Sequence, residues 1–268
     1  MIGDTHCNSR MGLCPPVFNL KDGGTYRPNK TQKYLWNSYV SFLDAVVETA
    51  KDVKPDKIGA LLMGDMVDGD RKRRTHQIIS RNASEVVDIA IQSLEPLYQL
   101  IDWCVFLKGT PAHVGKSGEI EEELASDCDI AQKNGENNYA WDEFYGTIGG
   151  VLFDAKHHGK LGYMRHTRTN ALHTLAENLF GAYTERGEKP PRVALRGHVH
   201  LSRDTYDNHY VRAVTSPCFC GMTGYAHRVS DDLPDVGGLI FVCEGGSYQL
   251  IKKEYRLKAR RPWRTSTK

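Results

Sequence analysis

The sequence predicts an α/β fold, because short apolar runs alternate with segments of helical spacing before the chain ends in a series of strands. This order is typical of a sheet built from strand–helix repeats and completed by further strands. The predicted strands span residues 57–63, 103–107, 151–156, 193–196, 209–215, 238–243 and 247–255. The predicted helices span residues 31–53, 82–100, 119–131 and 168–182.

The first helix is predicted from apolar side chains that recur every three or four positions. These are Tyr34, Leu35, Tyr39, Phe42, Leu43, Val46 and Val47. The segment 119–131 opens with acidic residues, whose charge suits the N-terminus of a helix. The strands are apolar runs too short for helices, and the first of them, 57–63, ends at Gly64-Asp65.

One domain over residues 1–268 is the simplest organisation, since single α/β domains often reach roughly 200–250 residues. Residues 8–30 are rich in Gly and Pro and predict a long irregular loop. Loops longer than ~12–15 residues in compact domains are usually functional, so we expect this one on the rim of a site. Residues 252–268 form a basic C-terminal tail, which we expect to be solvated more readily than bound to nucleic acid.

The composition is that of a soluble globular protein, with 40% hydrophobic and 25% charged residues. The formal net charge of +2 does not call for a polyanionic partner. No apolar run approaches the ~18 residues of a membrane span, so no membrane partner is expected. The seven cysteines are odd in number and lack disulfide spacing, which predicts reduced thiols and a cytoplasmic location. We interpret Cys218 and Cys220 as free thiols, because a zinc site needs four ligands.

Carboxylate and imidazole side chains follow the ends of the predicted strands and the first residues of the chain. They are Asp4, His6, Asp65, His157, His158, His198 and His200. In open sheets, sites form beyond the carboxyl ends of strands, so these side chains should converge. Such a ligand mixture suits Mn, Fe, Zn or Ni better than Ca. Two ions about 3.5–4 Å apart could clamp the attacking and leaving oxygens of a phosphoryl displacement.

Five short blocks stand in a characteristic order along the chain. They are Asp4-Thr5-His6, Gly64-Asp65-Met66-Val67-Asp68-Gly69, Gly109-Thr110-Pro111-Ala112-His113, His157-His158-Gly159 and Gly197-His198-Val199-His200. Together they resemble the calcineurin-like metallophosphoesterases, in a version carried by phages and prophages. The resemblance implies a sandwich of two mixed sheets flanked by helices, and a location in the host cytoplasm if a phage encodes the chain.

The resemblance also implies a role for each matching residue. The first ion would be bound by Asp4, His6 and His200, the bridge would be Asp65, and the second ion would be bound by His157 and His198. His157 is preferred to its neighbour, although His158 stays an alternative ligand. The cofactor would be two divalent ions, with Mn²⁺ expected and Fe, Zn or Ni as alternatives. Asp68 is expected to structure its loop.

The chain departs from the family pattern in its third block and at its start. Thr110 stands where the family has a metal-binding Asn, and His113 comes two residues later than the family's phosphate-contacting His. Either the second metal site is weaker, with Thr110 as an alternative ligand, or His113 itself binds that metal. We favour His113 as a catalytic residue beside the scissile phosphate. Only three residues precede Asp4, so either the first strand is a stub or the native start lies upstream.

The resulting hypothesis is a dimetal phosphodiesterase in which a metal-bridged hydroxide attacks a phosphodiester of nucleic acid or of a nucleotide. The basic residues Arg71, Arg73 and Arg74 would bind substrate, and so would His166. One alternative is a phosphomonoesterase or protein phosphatase, but Gly69 stands where that branch has an Arg. The other alternative is a non-catalytic binding module that has lost a metal, as Thr110 would allow. The oligomeric state stays open.

Overall fold

Two β-sheets pack face to face between layers of helix in the computed structural model of the chain, which describes residues 1–69, 77–162, 164–224 and 226–257. The helices are α1 Lys30–Val53, α2 Ala83–Tyr98, α3 Pro111–Val114, α4 Glu119–Ser126, α5 Asn170–Glu185 and α6 Ala226–Val229. The strands are β1 Phe18–Asn19, β2 Thr25–Tyr26, β3 Gly59–Leu62, β4 Trp103–Leu107, β5 Ala140–Trp141, β6 Phe144–Ile148, β7 Val151–His158, β8 Val193–Gly197, β9 Arg203–Asp204, β10 Arg212–Thr215, β11 Val236–Glu244 and β12 Ser247–Tyr255.

The first sheet contains β3, β4 and β5, all parallel. The first residues of the chain extend it, because Ile2 forms a parallel bridge with Leu62 on β3. On the other side, the Leu239 amide donates to the carbonyl of Met1 at 3.1 Å, which brings the antiparallel pair β11–β12 alongside. Met1 and Ile2 thus lie between β3 and β11.

The second sheet has the order β6-β7-β8-β10-β9 among the described residues. Strands β7, β8 and β10 are parallel, and the antiparallel strands β6 and β9 lie at its two edges. The second sheet is therefore mixed, and so is the first when the antiparallel pair β11–β12 beside Met1 is counted with it. A turn through Gly149 and Gly150, with φ of 56° and 82°, joins β6 to β7, which matches the positive φ that tight hairpin turns require.

Three apolar layers hold this arrangement together. Side chains of both sheets, including Met63, Val105 and Phe153, fill the space between them. Helices α1, α2 and α4 cover the outer face of the first sheet, and α5 covers the outer face of the second sheet. The α/β prediction is confirmed, and so is the sandwich of two mixed sheets flanked by helices.

Several element boundaries differ from the prediction. The edge strand β6 was not predicted, because its side chains are alternately buried and exposed and include a glycine. The fourth block, predicted to follow its strand, lies inside it, since β7 continues to His158. The helix predicted over 119–131 ends at Ser126, whose hydroxyl donates to the carbonyl of Glu123 at 2.8 Å and so competes with the helical backbone bonds. All seven cysteines are free thiols.

Candidate metal centre

The predicted ligands come from separate parts of the chain and converge where both sheets meet. Asp65 and Thr110 follow β3 and β4 of the first sheet, whereas His157 lies near the end of β7 and His198 follows β8 of the second. The segment containing Asp4 lies between them, because the Asp4 amide donates to the carbonyl of Gly64 at 2.9 Å. The topology thus places both sheets' strand ends around one cluster.

An unusual backbone conformation is shared by most of the predicted ligands. The left-handed residues are Asp4 (φ 50°), His6 (φ 43°), Asp65 (φ 51°), His198 (φ 71°) and His200 (φ 54°). Each such residue costs about 1–3 kcal/mol and persists only where the surrounding structure enforces it. Strain of this kind concentrates at binding and active sites, so its coincidence with these residues supports the hypothesis of a functional site here.

The first donor group consists of Asp4, His6, Asp65 and His200. Ligand atoms of the first three lie within 4.8 Å of one another. His200 Nε2 lies 3.2 Å from Asp4 Oδ1 and 3.2 Å from His6 Nε2. His6 Nδ1 is buried without a hydrogen-bond partner, and Asp4 Oδ1 has only His200 Nε2 beside it. Buried polar atoms are normally satisfied, so converging donors with an unpartnered ring nitrogen fit a bound cation.

The electrostatics of this group keep the Asp4 carboxylate ionised and the His6 imidazole neutral. Burial alone would raise the pKa of Asp4, but contact with His200 outweighs it and holds the pKa below its usual range. Burial and the neighbouring His113 lower the pKa of His6 to about 4, so its imidazole is neutral at pH 7. A neutral imidazole beside an ionised carboxylate is the protonation state that metal binding requires.

The second donor group consists of Asp65, Thr110, His157 and His198. Asp65 Oδ2 lies 3.2 Å from His157 Nε2. The Thr110 hydroxyl is 3.2 Å from the same Nε2 and 3.1 Å from His198 Nδ1. The Thr110 amide also donates to Asp65 Oδ1 at 2.6 Å. Asp65 therefore contacts both groups. The Thr110 hydroxyl oxygen lies among the donors of the second group, at the position where the sequence resemblance predicts the amide oxygen of an asparagine.

His157 and His158 both reach the cluster because of a β-bulge. Lys156 pairs with Arg196 and His158 with Gly197, which leaves His157 as the extra residue in β7. A bulge interrupts the strict alternation of side chains and commonly re-aims one at a site. As a result, ligand atoms of His157, His158 and His198 lie within 4.8 Å of one another.

The two neighbouring histidines nevertheless differ in their surroundings. His157 is buried and its Nδ1 donates to the carbonyl of Met63 at 2.6 Å, which leaves Nε2 as the ligand atom. Burial alone would lower the pKa of His157, but Asp65 outweighs it and raises the pKa to about 9. His158 is exposed and lacks such an anchor among the described residues. The structure thus favours His157 as the ligand, with His158 within reach.

His113 lies beside the first donor group and not the second. Its Nδ1 donates to Asp68 Oδ1 at 2.9 Å, and its ring centroid is 4.6 Å from that of His6. The Asp68 carboxylate fixes the tautomer of His113 and leaves Nε2 for another partner. Burial opposes the charged form, but the hydrogen bond that His113 donates to Asp68, together with the charges of Asp65 and Asp68, more than offsets it and raises the pKa of His113. Asp68 therefore orients a histidine, a role beyond structuring its own loop.

One buried carboxylate behind the cluster was not predicted from the sequence. Glu121 on α4 is fully buried and accepts from the Met66 amide at 2.9 Å and from the Gly109 amide at 2.5 Å. These amides belong to the loops that carry Asp65 and Thr110. Burial, together with the charge of Asp65, raises the pKa of Glu121 to about 8. The helix dipole already accounts for an acidic residue in the first turn of a helix, so the sequence gives no signal for this contact.

A buried thiol also approaches the first group. Ligand atoms of His6, His200 and Cys220 lie within 4.8 Å of one another. The sequence spacing of Cys218 and Cys220 gives no indication of this, because the histidines are remote in sequence. Cys220 is fully buried and its Sγ donates to the carbonyl of Gly221 at 3.3 Å.

The predicted substrate-binding residues are not part of the cluster as described. Arg71, Arg73 and Arg74 lie outside the described residues. His166 is exposed on a short 3₁₀ turn, Arg165–Thr167, and has no hydrogen bond or ion pair with the cluster within the ranges that the structure describes. Its contact with substrate remains a prediction.

The long loop and the tail have different surroundings. Residues 8–30 begin as a buried layer behind the first block, where the Leu13 amide donates to the carbonyl of Thr5 at 2.8 Å, and continue as the β1–β2 hairpin. In the tail, Lys252 on β12 pairs with Asp204 at 2.8 Å, and residues 258–268 lie outside the described part.

Among the described helices, none combines the length and apolar character needed to cross a membrane.

Comparisons with known proteins show distant structural likeness only. No protein-family model matches the chain, and a search of curated proteins finds no match.

A dimetal phosphatase from Danio rerio is 11% identical, with 94% of this chain and 94% of that chain covered and a TM-score of 0.44. Wild-type Vps29 from Entamoeba histolytica, complexed with zinc, is 12% identical, with 73% and 81% covered and a TM-score of 0.36. A predicted phosphoesterase from Streptococcus pneumoniae is 12% identical, with 73% and 97% covered and a TM-score of 0.31. Likeness at this level carries no functional information, so the chemistry is inferred from the site's own residues.

Proposed function

We propose that the chain is a dimetal phosphoesterase that hydrolyses phosphodiesters of nucleic acid or nucleotides. The observation that carries the proposal is the position of Asp65. Its carboxylate contacts His157 Nε2 at 3.2 Å and also lies within 4.8 Å of the ligand atoms of Asp4 and His6. One carboxylate shared by two groups of metal-ligating side chains is the arrangement that a pair of close cations requires.

The residues present fit two divalent cations. The first group offers two carboxylates and two imidazoles, and the second shares Asp65 and adds two imidazoles and a hydroxyl. This donor set favours a transition-metal ion, with Mn²⁺ expected and Fe, Zn or Ni as alternatives. When bound, such cations polarise phosphoryl oxygens and lower the pKa of a water toward neutrality, which supplies a nucleophile.

The chain's own residues would complete the reaction around this centre. His113, held by Asp68 and with a raised pKa, is suited to donate a proton or hydrogen bond to the leaving oxygen. The Thr110 amide and Glu121 hold Asp65 and its loop in place. Because this His113–Asp68 pair is formed beside the first donor group, it supports His113 as a catalytic residue over its alternative role as a ligand of the second ion.

The test is hydrolysis of bis-p-nitrophenyl phosphate by protein freed of metal and then supplied with Mn²⁺, Fe²⁺, Zn²⁺ or Ni²⁺. We expect turnover with at least one ion and its loss on adding EDTA. A parallel assay with p-nitrophenyl phosphate tests the phosphomonoesterase alternative, which would turn over the monoester faster than the diester. No turnover of either ester with any of these ions would overturn the proposal and favour a binding module.

A further inference from the structure

A cavity of about 410 Å³ opens beside the second donor group. His157 and His158 line it on the side of the cluster, and the loop 115–118 also lines it. The volume falls within the ~300–1,000 Å³ typical of pockets for small organic ligands. A group bound there would lie next to a phosphate held at the cluster, because the two share His157.

The lining of this cavity is basic. It contains three lysines, Lys108, Lys116 and Lys156, against one carboxylate, Asp142. Lys108 Nζ pairs with Asp142 at 3.2 Å, and Lys156 pairs with Glu143 just outside the cavity. Lys116 has no ion pair within the described part of the chain and is exposed. The cavity therefore carries an uncompensated positive charge at Lys116.

The loop that carries Lys116 requires glycine at both ends. Gly115 and Gly118 have φ of 95° and 75°, a region that other residues rarely adopt. A Cβ on Gly118 would lie 2.9 Å from Lys108 Cγ, so the missing side chain leaves room for the lysine stem. The loop thus brings Lys116 and Lys108 to one cavity.

We propose that this cavity is a subsite for a second phosphate group of the substrate, and that the substrate is an oligonucleotide strand. This inference rests on the proposed phosphodiesterase function. Lysine ammonium groups bind phosphate as point charges, and Lys116, which lines the cavity without an ion pair among the described residues, suits a strand phosphate. The volume exceeds what a phosphate alone would fill, which leaves room for the sugar or base that links two phosphates.

The experiment compares three dinucleotides: dithymidine monophosphate, which has only the scissile phosphate, and its 5′-phosphorylated and 3′-phosphorylated forms. We would measure kcat and KM for the wild type, Lys116→Ala and Lys33→Ala. Lys33 is an exposed lysine on α1 that does not line the cavity, so it controls for loss of surface charge. Bis-p-nitrophenyl phosphate serves as a substrate without a second phosphate.

We expect the wild type to prefer one phosphorylated dinucleotide, and the preferred form shows on which side of the scissile ester the subsite lies. Lys116→Ala should reduce that preference about tenfold, mainly through KM, while hydrolysis of the two singly charged diesters stays unchanged. A tenfold loss is the size expected for a hydrogen bond to a charged group. Lys33→Ala should behave as the wild type.

Two results would overturn the subsite while leaving the proposed function intact. One is a wild type that hydrolyses bis-p-nitrophenyl phosphate but shows no preference for a terminal phosphate. The other is a preference that Lys116→Ala leaves unchanged. Failure of the wild type on every ester, with every metal, would instead contradict the phosphodiesterase function and the subsite together.

Discussion

Replacing Glu121 by Gln should weaken the binding of divalent cations without unfolding the protein. The Glu121 carboxylate accepts from the Met66 and Gly109 amides at 2.9 and 2.5 Å. Met66 follows Asp65 directly, and Gly109 precedes Thr110. A glutamine has one oxygen and one NH₂ group, so one of the two backbone amides would face a donor. The loops that position Asp65 and Thr110 would then separate.

The size of the effect can be worked out from these contacts. Loss of one hydrogen bond costs about 1 kcal/mol if Glu121 is protonated and about 1.5–3 kcal/mol if it is ionised. The folded protein should tolerate this loss, since a domain is stable by about 5–15 kcal/mol. Changes in residues that orient metal ligands typically reduce metal affinity by about 10–100-fold. We therefore expect a moderate loss of stability and a much larger loss of metal binding.

The next residue provides a matched control. Glu122 also accepts two backbone hydrogen bonds, from the Tyr139 amide at 3.0 Å and the Ala140 amide at 2.7 Å. Those amides lie just before and at the start of β5, and this segment carries no predicted metal ligand. Glu122→Gln should thus lose similar stability and keep the metal affinity of the wild type.

The assay combines urea unfolding of the metal-free variants with titration of Mn²⁺ against a chelating dye. The reasoning would be refuted if Glu121→Gln bound metal as tightly as Glu122→Gln at equal loss of stability. Equal weakening of metal binding in both variants would also refute it, because the effect would then be a general consequence of destabilisation.

Three further predictions concern the cluster itself. Asp65→Asn should abolish turnover of bis-p-nitrophenyl phosphate while the circular dichroism spectrum stays that of the wild type; near-normal rates would show that Asp65 is not the bridge. His157→Asn should lose one of two bound ions in elemental analysis, whereas His158→Asn should keep both, and the reverse pattern would identify His158 as the ligand. The stability of the metal-free protein should fall between pH 6.5 and 9. The reason is that folding raises the pKa of His157 from 6.5 to about 9. The stabilisation from protonated His157 is therefore complete below pH 6.5 and is lost as the pH rises through 9. Thermal unfolding at several pH values would measure this fall in stability, and the fall should be shallower in His157→Asn. A rise in stability over the same interval would contradict the assignment.

Much of the fold could be predicted because its signals are local. Helix α1 has an amphipathic pattern and a capping box at Asn29 and Gln32, and the structure places it at Lys30–Val53 against the expected 31–53. The strands β4 and β8 are apolar runs that end at glycine or a polar residue. Strand β6 is not an apolar run, since only one of its faces is covered, and the two-glycine turn after it was the one hairpin signal that the sequence offered for it.

Most of the candidate ligands could be found because they lie at or just after strand ends, but the residues that contact them could not. The late position of His113 is an example. A single helical turn, α3 at Pro111–Val114, takes up the two extra residues and brings His113 to Asp68. The contacts of Glu121, Cys220 and Lys116 with the cluster or its cavity depend on packing between segments far apart in sequence. No spacing rule in the chain predicts them.

The most direct test of the central claim is a crystal structure of the protein soaked with Mn²⁺, with anomalous diffraction data collected at the manganese absorption edge. Two anomalous peaks should appear, one among Asp4, His6 and His200 and one among His157, His198 and Thr110, with the Asp65 carboxylate between them. A single peak, or two peaks that do not share Asp65, would contradict the dimetal centre.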